Sequence, residues 1–327
     1  MLTALALIGG GHWWVSGQAT QPETVNQTRF LMDTTVDIRA IGADASTAVD
    51  EAFREMQRIE ALFSRYVDNS DISRINAEAG QWVSVSAEVV ELLQRSIKYG
   101  NLTKGSFDVT IGPLVTLWGF GTDQRQVPAN EALQNAMAHV DYTAIALDPN
   151  QRLVKIPEGF MLDLGGVAKG YAVDRGADVL RERGIEHGLI NAGGDISVVG
   201  TRDTEGSPWR VGIQDPAEPS RVMAVVELMD ATVVTSGDYQ RYFEVDGTRF
   251  HHIIDPATGF PADELTSVTV VAPTAADGDA LSTALFILGK PASIQLLEQL
   301  PDIEAVIVSK DGTVWISPGL QARFRFL

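Results

Sequence analysis

A chain of 327 residues, 45% of them hydrophobic, can bury one large core or two modest ones, and a formal net charge of −18 sets it against nucleic-acid phosphates and anionic membrane surfaces. The same charge obliges any phosphate ligand to meet a local positive pole, made by a lysine, a helix N-terminus or a metal ion. With no cysteine in the chain, disulfides, thiolate metal sites and a lipidated-cysteine anchor are excluded.

Residues 1–17 hold an apolar run at positions 2–8 with no lysine or arginine ahead of it. That run is too short to span a membrane but suits the apolar region of a secretory signal, so the segment reads as a signal or anchor remnant. Residues 18–28 are polar and read as a linker, and residues 29–327 as one catalytic domain. Residues 29–41 alternate as a single strand. Val49, Phe53, Met56, Ile59, Leu62 and Phe63 then recur at helical spacing, which predicts an amphipathic helix over 45–63 facing a core. Ser86 is a good N-cap for a helix running to Tyr99. In residues 105–121 glycines and a proline interrupt an apolar stretch so often that neither period survives, as expected of backbone wrapped closely around something. A helix over 130–139 and a hairpin over 144–156, turned at Pro149-Asn150, follow.

The stretch LDLGGVAKG, residues 162–170, opens the next helix. Its glycines let backbone approach a ligand, and Lys169 stands in the first turn, against the helix dipole, where an anionic ligand is the natural partner. Asn191 to Asp195 (NAGGD) follows a strand over 187–190 and reads either as a tight turn or as a ligand contact. Strands are expected over 211–213, 222–228 and 231–235. Strands over 243–245 and 248–250 flank Asp246-Gly247, a strong hairpin signal. That hairpin delivers His251 and His252 into a rigid loop marked by Asp255-Pro256, Thr258-Gly259 and Pro261. Thr274 and Asp277 have capping-box spacing, and Gly289 ends the helix they start. Inside it, Asp279 and Thr283 are four apart and share one face, an arrangement that suits a hard cation such as magnesium. Taken alone, that pair is more commonly surface decoration, and a histidine pair is more commonly a strand-pairing feature. A helix over 291–300 and a hairpin at Asp311-Gly312 close the chain.

HHIIDPATGFP from His251, DGDALSTALFILG from Asp277, LDLGGVAKG from Leu162 and SGDY from Ser236 together resemble the ApbE family, the FAD:protein FMN transferases. The resemblance covers roughly residues 29–320. It implies an α+β, T-fold-related single domain with mixed or antiparallel sheets and flanking helices. FAD would bind there without a Rossmann domain, and the chain indeed lacks a G-x-G-x-x-G. The implied reaction is magnesium-dependent transfer of FMN from FAD to a threonine or serine hydroxyl of an acceptor protein, releasing AMP. By the same resemblance Met32, Tyr66, Ser106, Phe107, Asp108, Asp163, Lys169 and Ile253 contact FAD. Met32 stands in a Met-Asp-Thr where the family has Met-Gly-Thr. The Gly166 carbonyl, Asp279 and Thr283 would hold magnesium, His252 would be the base, and Asp255 would brace its loop. An FAD pyrophosphatase and a non-enzymatic FAD-binding protein are the alternatives. Family acceptors resemble flavin-carrying subunits of membrane redox pumps, which implies the periplasmic side of a bacterial inner membrane.

Overall fold

The computed structural model describes residues 23–327, so the apolar run at positions 2–8 lies outside the described residues. β1 (Glu23–Leu31) and β2 (Thr34–Gly42) pair antiparallel from Glu23↔Gly42 to Leu31↔Thr34. The single strand expected over 29–41 is therefore a hairpin, and β1 begins inside the stretch read as linker. The turn is Met32-Asp33, with both residues left-handed at φ 52° and 57°. A two-residue hairpin turn demands that conformation, but it is usually announced by glycine or asparagine, and neither is present.

α1 (Ala45–Phe63) buries Val49, Phe53, Met56, Ile59 and Phe63 as its spacing predicts. α2 (Asp71–Ala77) is capped by the Ser70 side chain, and after β3 (Val83–Ser84) the Ser86 hydroxyl caps α3 (Ala87–Leu102). α4 (Gly112–Trp118) lies in the stretch expected to hold no regular structure: Pro113 is preset for the first turn and Gly119, at φ 73°, ends it. α5 (Asn130–Met137) precedes β4 (Ala146–Asp148) and β5 (Leu153–Lys155), which form the expected hairpin and join β3 in a small sheet. Next come α6 (Ala168–Glu182), β6 (His187–Ala192), β7 (Asp195–Gly200), β8 (Trp209–Gln214), β9 (Val222–Leu228) and β10 (Thr232–Gly237). The ribbon of β11 (Tyr242–Val245) and β12 (Thr248–His251) leads to β13 (Leu265–Ala272) and α7 (Ala275–Leu297). α7 is broken at Gly289 (φ 73°, ψ 171°) and restarts at Pro291. β14 (Glu304–Ser309), β15 (Val314–Ile316) and β16 (Phe324–Phe326) end the fold.

The main sheet has eight strands in the order β1-β2-β6-β7-β10-β13-β14-β15, every neighbouring pair antiparallel. One face carries α1, α6 and α7, which bury the core around Ile38, Phe53, Ile190 and Phe286. The small sheet β16-β9-β8 covers part of the other face and buries Val198, Trp209 and Val226. Covered on both sides, β13 is buried along nearly its whole length. Among the described residues α7 alone is long and apolar enough to cross a membrane, but Ala280, Ala284, Leu285 and Phe286 lie in the main core. The architecture is the α+β arrangement expected, with antiparallel sheets and flanking helices.

Candidate functional site

The site forms where the first turns of α6 and α7 cross. A Cβ on Gly170 would collide with the carbonyl oxygen of Ala275 and lie 2.8 Å from the amide nitrogen of Ala276, so only glycine permits this approach. Contact brings the Gly170 N–H 3.0 Å from Asp279 Oδ2, to which it donates. One turn along α6, Asp174 accepts from the amides of Ala275 at 2.7 Å and Ala276 at 2.9 Å, capping α7 from outside. Asp279 is thereby fixed beside Lys169. The tight β6–β7 turn, with Gly193 and Gly194 at φ 60° and 102°, brings in Asp195, whose carboxylate is 1% exposed and pairs with Lys169 Nζ. Burial, then the neighbouring Asp279 carboxylate, push Asp195 above the usual carboxylate range. Burial also raises Asp279, against the opposing pull of Lys169 and the Gly170 N–H. For Lys169 burial acts downward, but Asp195 and Asp279 more than offset it and hold the ammonium above its ordinary value. Two carboxylates thus surround one ammonium.

Thr283, one turn beyond Asp279, lies 3.5 Å from the Ser236 hydroxyl, and Ser236 is itself 2.9 Å from Ser282. A Cβ on Gly166 would stand 3.5 Å from Thr283 Oγ1 and 3.3 Å from the Phe107 ring, so the 162–167 loop meets α7 here with Phe107 behind it. Thr283 thus stands between Asp279, one turn before it on α7, and the backbone of Gly166. Their donors are a carboxylate, a hydroxyl and a carbonyl, the oxygen set that magnesium prefers. Beside them the Asp195 carboxylate is buried, its Oδ2 meeting the Lys169 ammonium and its Oδ1 without a hydrogen-bond donor. A pocket of acidic oxygens short of donors fits a divalent cation.

β12 ends at His251, and His252, the next residue, points away from it into a different environment. His251 is 4% exposed, packs on Phe286, and is held by the Ala262 carbonyl, 2.7 Å from Nε2, and the Ile253 amide, 3.3 Å from Nδ1. Burial lowers its pKa to about 4. His252 Nδ1 lies 3.3 Å from the Arg241 carbonyl. A carbonyl only accepts, so Nδ1 carries the proton and Nε2 keeps a lone pair. Burial, then the Arg241 guanidinium, push His252 down to about 3, leaving it neutral. The Asp255 carboxylate accepts from the Ala257 amide at 2.9 Å and the Thr258 hydroxyl at 3.2 Å, within its own loop. Trp118 Nε1 donates to the Gly259 carbonyl at 2.8 Å and ties α4 to the same loop.

The other expected residues divide into two groups. Met32 is half-buried, and its amide donates to Glu60 at 3.0 Å. Beside it the Arg241 guanidinium lies 3.3 Å from both the carbonyl and the carboxylate oxygen of Asp33. Tyr66 is 59% exposed, with its hydroxyl accepting from Arg65 at 2.7 Å, and Ser106 is half-buried with no side-chain bond among the described residues. The remaining side chains are committed to structure. Asp108 accepts from the Thr110 amide at 2.7 Å and the Tyr142 amide at 2.9 Å, while Asp163 pairs with Arg65 and accepts from the Gly165 amide, both at 2.8 Å. Ile253 is in the core, its amide on His251 and its carbonyl accepting from Ala262. Asp195 pairs with Lys169, and Arg241 contacts His252 and Asp33; neither was in the expected set. The NAGGD turn was a usable signal for Asp195, whereas no local pattern marks Arg241.

Residues 32–307 match the model of the ApbE family. A FAD:protein FMN transferase of Treponema pallidum is 36% identical over 301 residues, covering 87% of this chain and 83% of that protein. One from Vibrio cholerae is 35% identical over 309 residues, covering 91% and 92%. The crystal structure of an ApbE protein from Thermotoga maritima superposes with a TM-score of 0.87 at 33% identity, over 93% of this chain and all of that one, a coverage of 100%. The flavin transferase ApbE of Vibrio cholerae gives a TM-score of 0.82 at 32% identity, covering 94% and 100%.

Proposed function

This chain belongs to the ApbE family, and from that membership we propose that it is an enzyme that transfers FMN from FAD to a threonine or serine hydroxyl of an acceptor protein. The hydroxyl oxygen attacks the phosphorus on the riboflavin side of the diphosphate, the bond to the bridging oxygen breaks, and AMP leaves with that oxygen. The hydroxyl proton passes to a base. Asp279, Thr283 and the Gly166 carbonyl would hold magnesium, which supplies charge neutralisation on the diphosphate. The observation that supports this reading is the approach of the Gly166 backbone to Thr283, beside Asp279 and the Lys169–Asp195 pair at the α6–α7 crossing.

His252 is the candidate base because Nε2 has a free lone pair. At a pKa of about 3 it is a weak one. Its depression comes from burial and then from the Arg241 cation, so a bound diphosphate opposing that cation strengthens the base when it is needed. Lys169, already bracketed by carboxylates, keeps its charge near the diphosphate, and Asp255 is a positioning residue. By the same reading the acceptor is a flavin-carrying subunit of a membrane redox pump, and the enzyme works outside the cytoplasm.

The test is to incubate the protein with FAD, magnesium and candidate acceptors, then to resolve denatured protein, AMP and free FMN. Flavin that stays on the acceptor through denaturation, with AMP released in equal amount, is the expected result. Free FMN with AMP and no labelled acceptor would mean a pyrophosphatase, and unchanged FAD a binding protein.

A further inference from the structure

Arg241 lies directly after the β10 turn, where its main-chain carbonyl receives His252 and its guanidinium reaches across the site mouth to the Met32-Asp33 turn. The neighbouring Gln240 side chain would lie 3.8 Å from a Cβ on Gly194, and Thr34 packs on Gly193, so Arg241 and the Met32-Asp33 turn both border the β6–β7 turn that carries Asp195. Its partner is poorly made for a permanent ion pair. Asp33 is 73% exposed, Arg241 46%, and one guanidinium nitrogen serves both oxygens at 3.3 Å, without the paired fork that makes arginine–carboxylate contacts strong.

The charges of the pocket leave a role open. With both carboxylates ionised, Asp195, Asp279 and Lys169 together carry one net negative charge. The diphosphate of FAD brings two negative charges and a magnesium ion removes two, so one cation is still required. Lys169, paired with the buried Asp195 carboxylate, is already counted in that sum.

We infer that Arg241 is a diphosphate-binding residue that Asp33 holds in waiting: in the free protein its guanidinium rests on the Met32-Asp33 turn, and the diphosphate of FAD draws it off. The inference rests on the transferase reading, of which it names a further substrate contact. A diphosphate offers more charge and a planar pair of oxygens to the guanidinium fork than a solvated carboxylate does. Release also frees the turn that carries Met32, so the contact links diphosphate binding to that turn.

Titrating FAD and riboflavin, which lacks phosphate, into wild type, Arg241→Met and Asp33→Asn with chelator present separates the possibilities. Asparagine is chosen because it tolerates the left-handed φ of 57° at position 33. Arg241→Met is expected to weaken FAD about 10- to 100-fold and leave riboflavin unchanged. Asp33→Asn is expected to tighten FAD about two- to fivefold by removing the competitor. Equal losses for FAD and riboflavin in Arg241→Met would make the residue structural and overturn the inference, as would no loss for either. Weaker FAD binding in Asp33→Asn would also overturn it, since Asp33 would then be aiming Arg241 and not competing for it. If wild type itself binds no FAD the transferase reading fails too, whereas firm wild-type binding that ignores Arg241 sinks this inference alone.

Discussion

At the end of β12 one imidazole is spent on the fold and its neighbour is left with a free lone pair, and removing each should be felt in different measurements. His252→Ala is expected to lower single-turnover FMN transfer by about 10²- to 10⁴-fold with FAD affinity nearly unchanged. His251→Ala removes a buried ring and strands the Ala262 carbonyl and the Ile253 amide, so it is expected to cost about 2–4 kcal/mol in urea unfolding. Because His251 has a folded pKa of about 4 against 6.5 unfolded, the unfolded chain binds the extra proton between those values. Its stabilising contribution is therefore complete above pH 6.5 and fades as the pH falls toward 4, by about 3 kcal/mol in all. An activity loss in His251→Ala without a stability loss would exchange the two roles. That the two neighbouring imidazoles would part was legible from strand alternation, and the motif around them is what singles out His252. Arg241 was not legible, because its part depends on a turn more than two hundred positions away in sequence, and no local period encodes such a meeting.

The crossing of α6 and α7 decides whether the candidate ligands meet at all, and Gly170 is the residue that permits it. Gly170→Ala drives a methyl group into main-chain atoms of Ala275 and Ala276, which cannot yield as a flexible side chain would. Overpacking of this kind costs about 1–3 kcal/mol, and here it also separates the Gly170 amide from Asp279. The expected outcome is a folded protein of reduced stability that no longer gains thermal stability from magnesium and transfers no FMN. A wild-type magnesium shift in that variant would show that the crossing does not set the ligands. Much at this scale could be read directly: the Thr274 N-cap, the break at Gly289 and the Asp246-Gly247 hairpin are local signals with local causes. The misses also have causes. α4 is only seven residues long between a proline and a left-handed glycine, too short for a period to emerge, and the β1–β2 turn uses Met-Asp where glycine or asparagine would have announced it.

For the whole molecule, composition revealed a net charge of −18 but not where positive charge collects, and that distinction governs how FAD arrives. Lys169 and Arg241 sit at the site with Asp33, Asp195 and Asp279 around them, so their field is cancelled within a few ångströms and the long-range field remains that of an anion. FAD, also an anion, should therefore approach against repulsion and be held only by short contacts once inside. The screening length falls from about 30 Å at 0.01 M salt to about 8 Å at 0.15 M. Over that range the association rate of FAD is expected to rise several-fold, opposite in sign to electrostatic steering by a cationic funnel. The dissociation rate should change much less, because partly buried pairs are poorly screened. Stopped-flow quenching of flavin fluorescence measures both rates, with uncharged riboflavin as the control whose association should ignore salt. An FAD association rate that falls as salt is added would mean that Lys169 and Arg241 project a positive field beyond the site, and that the cancellation by the three aspartates is incomplete.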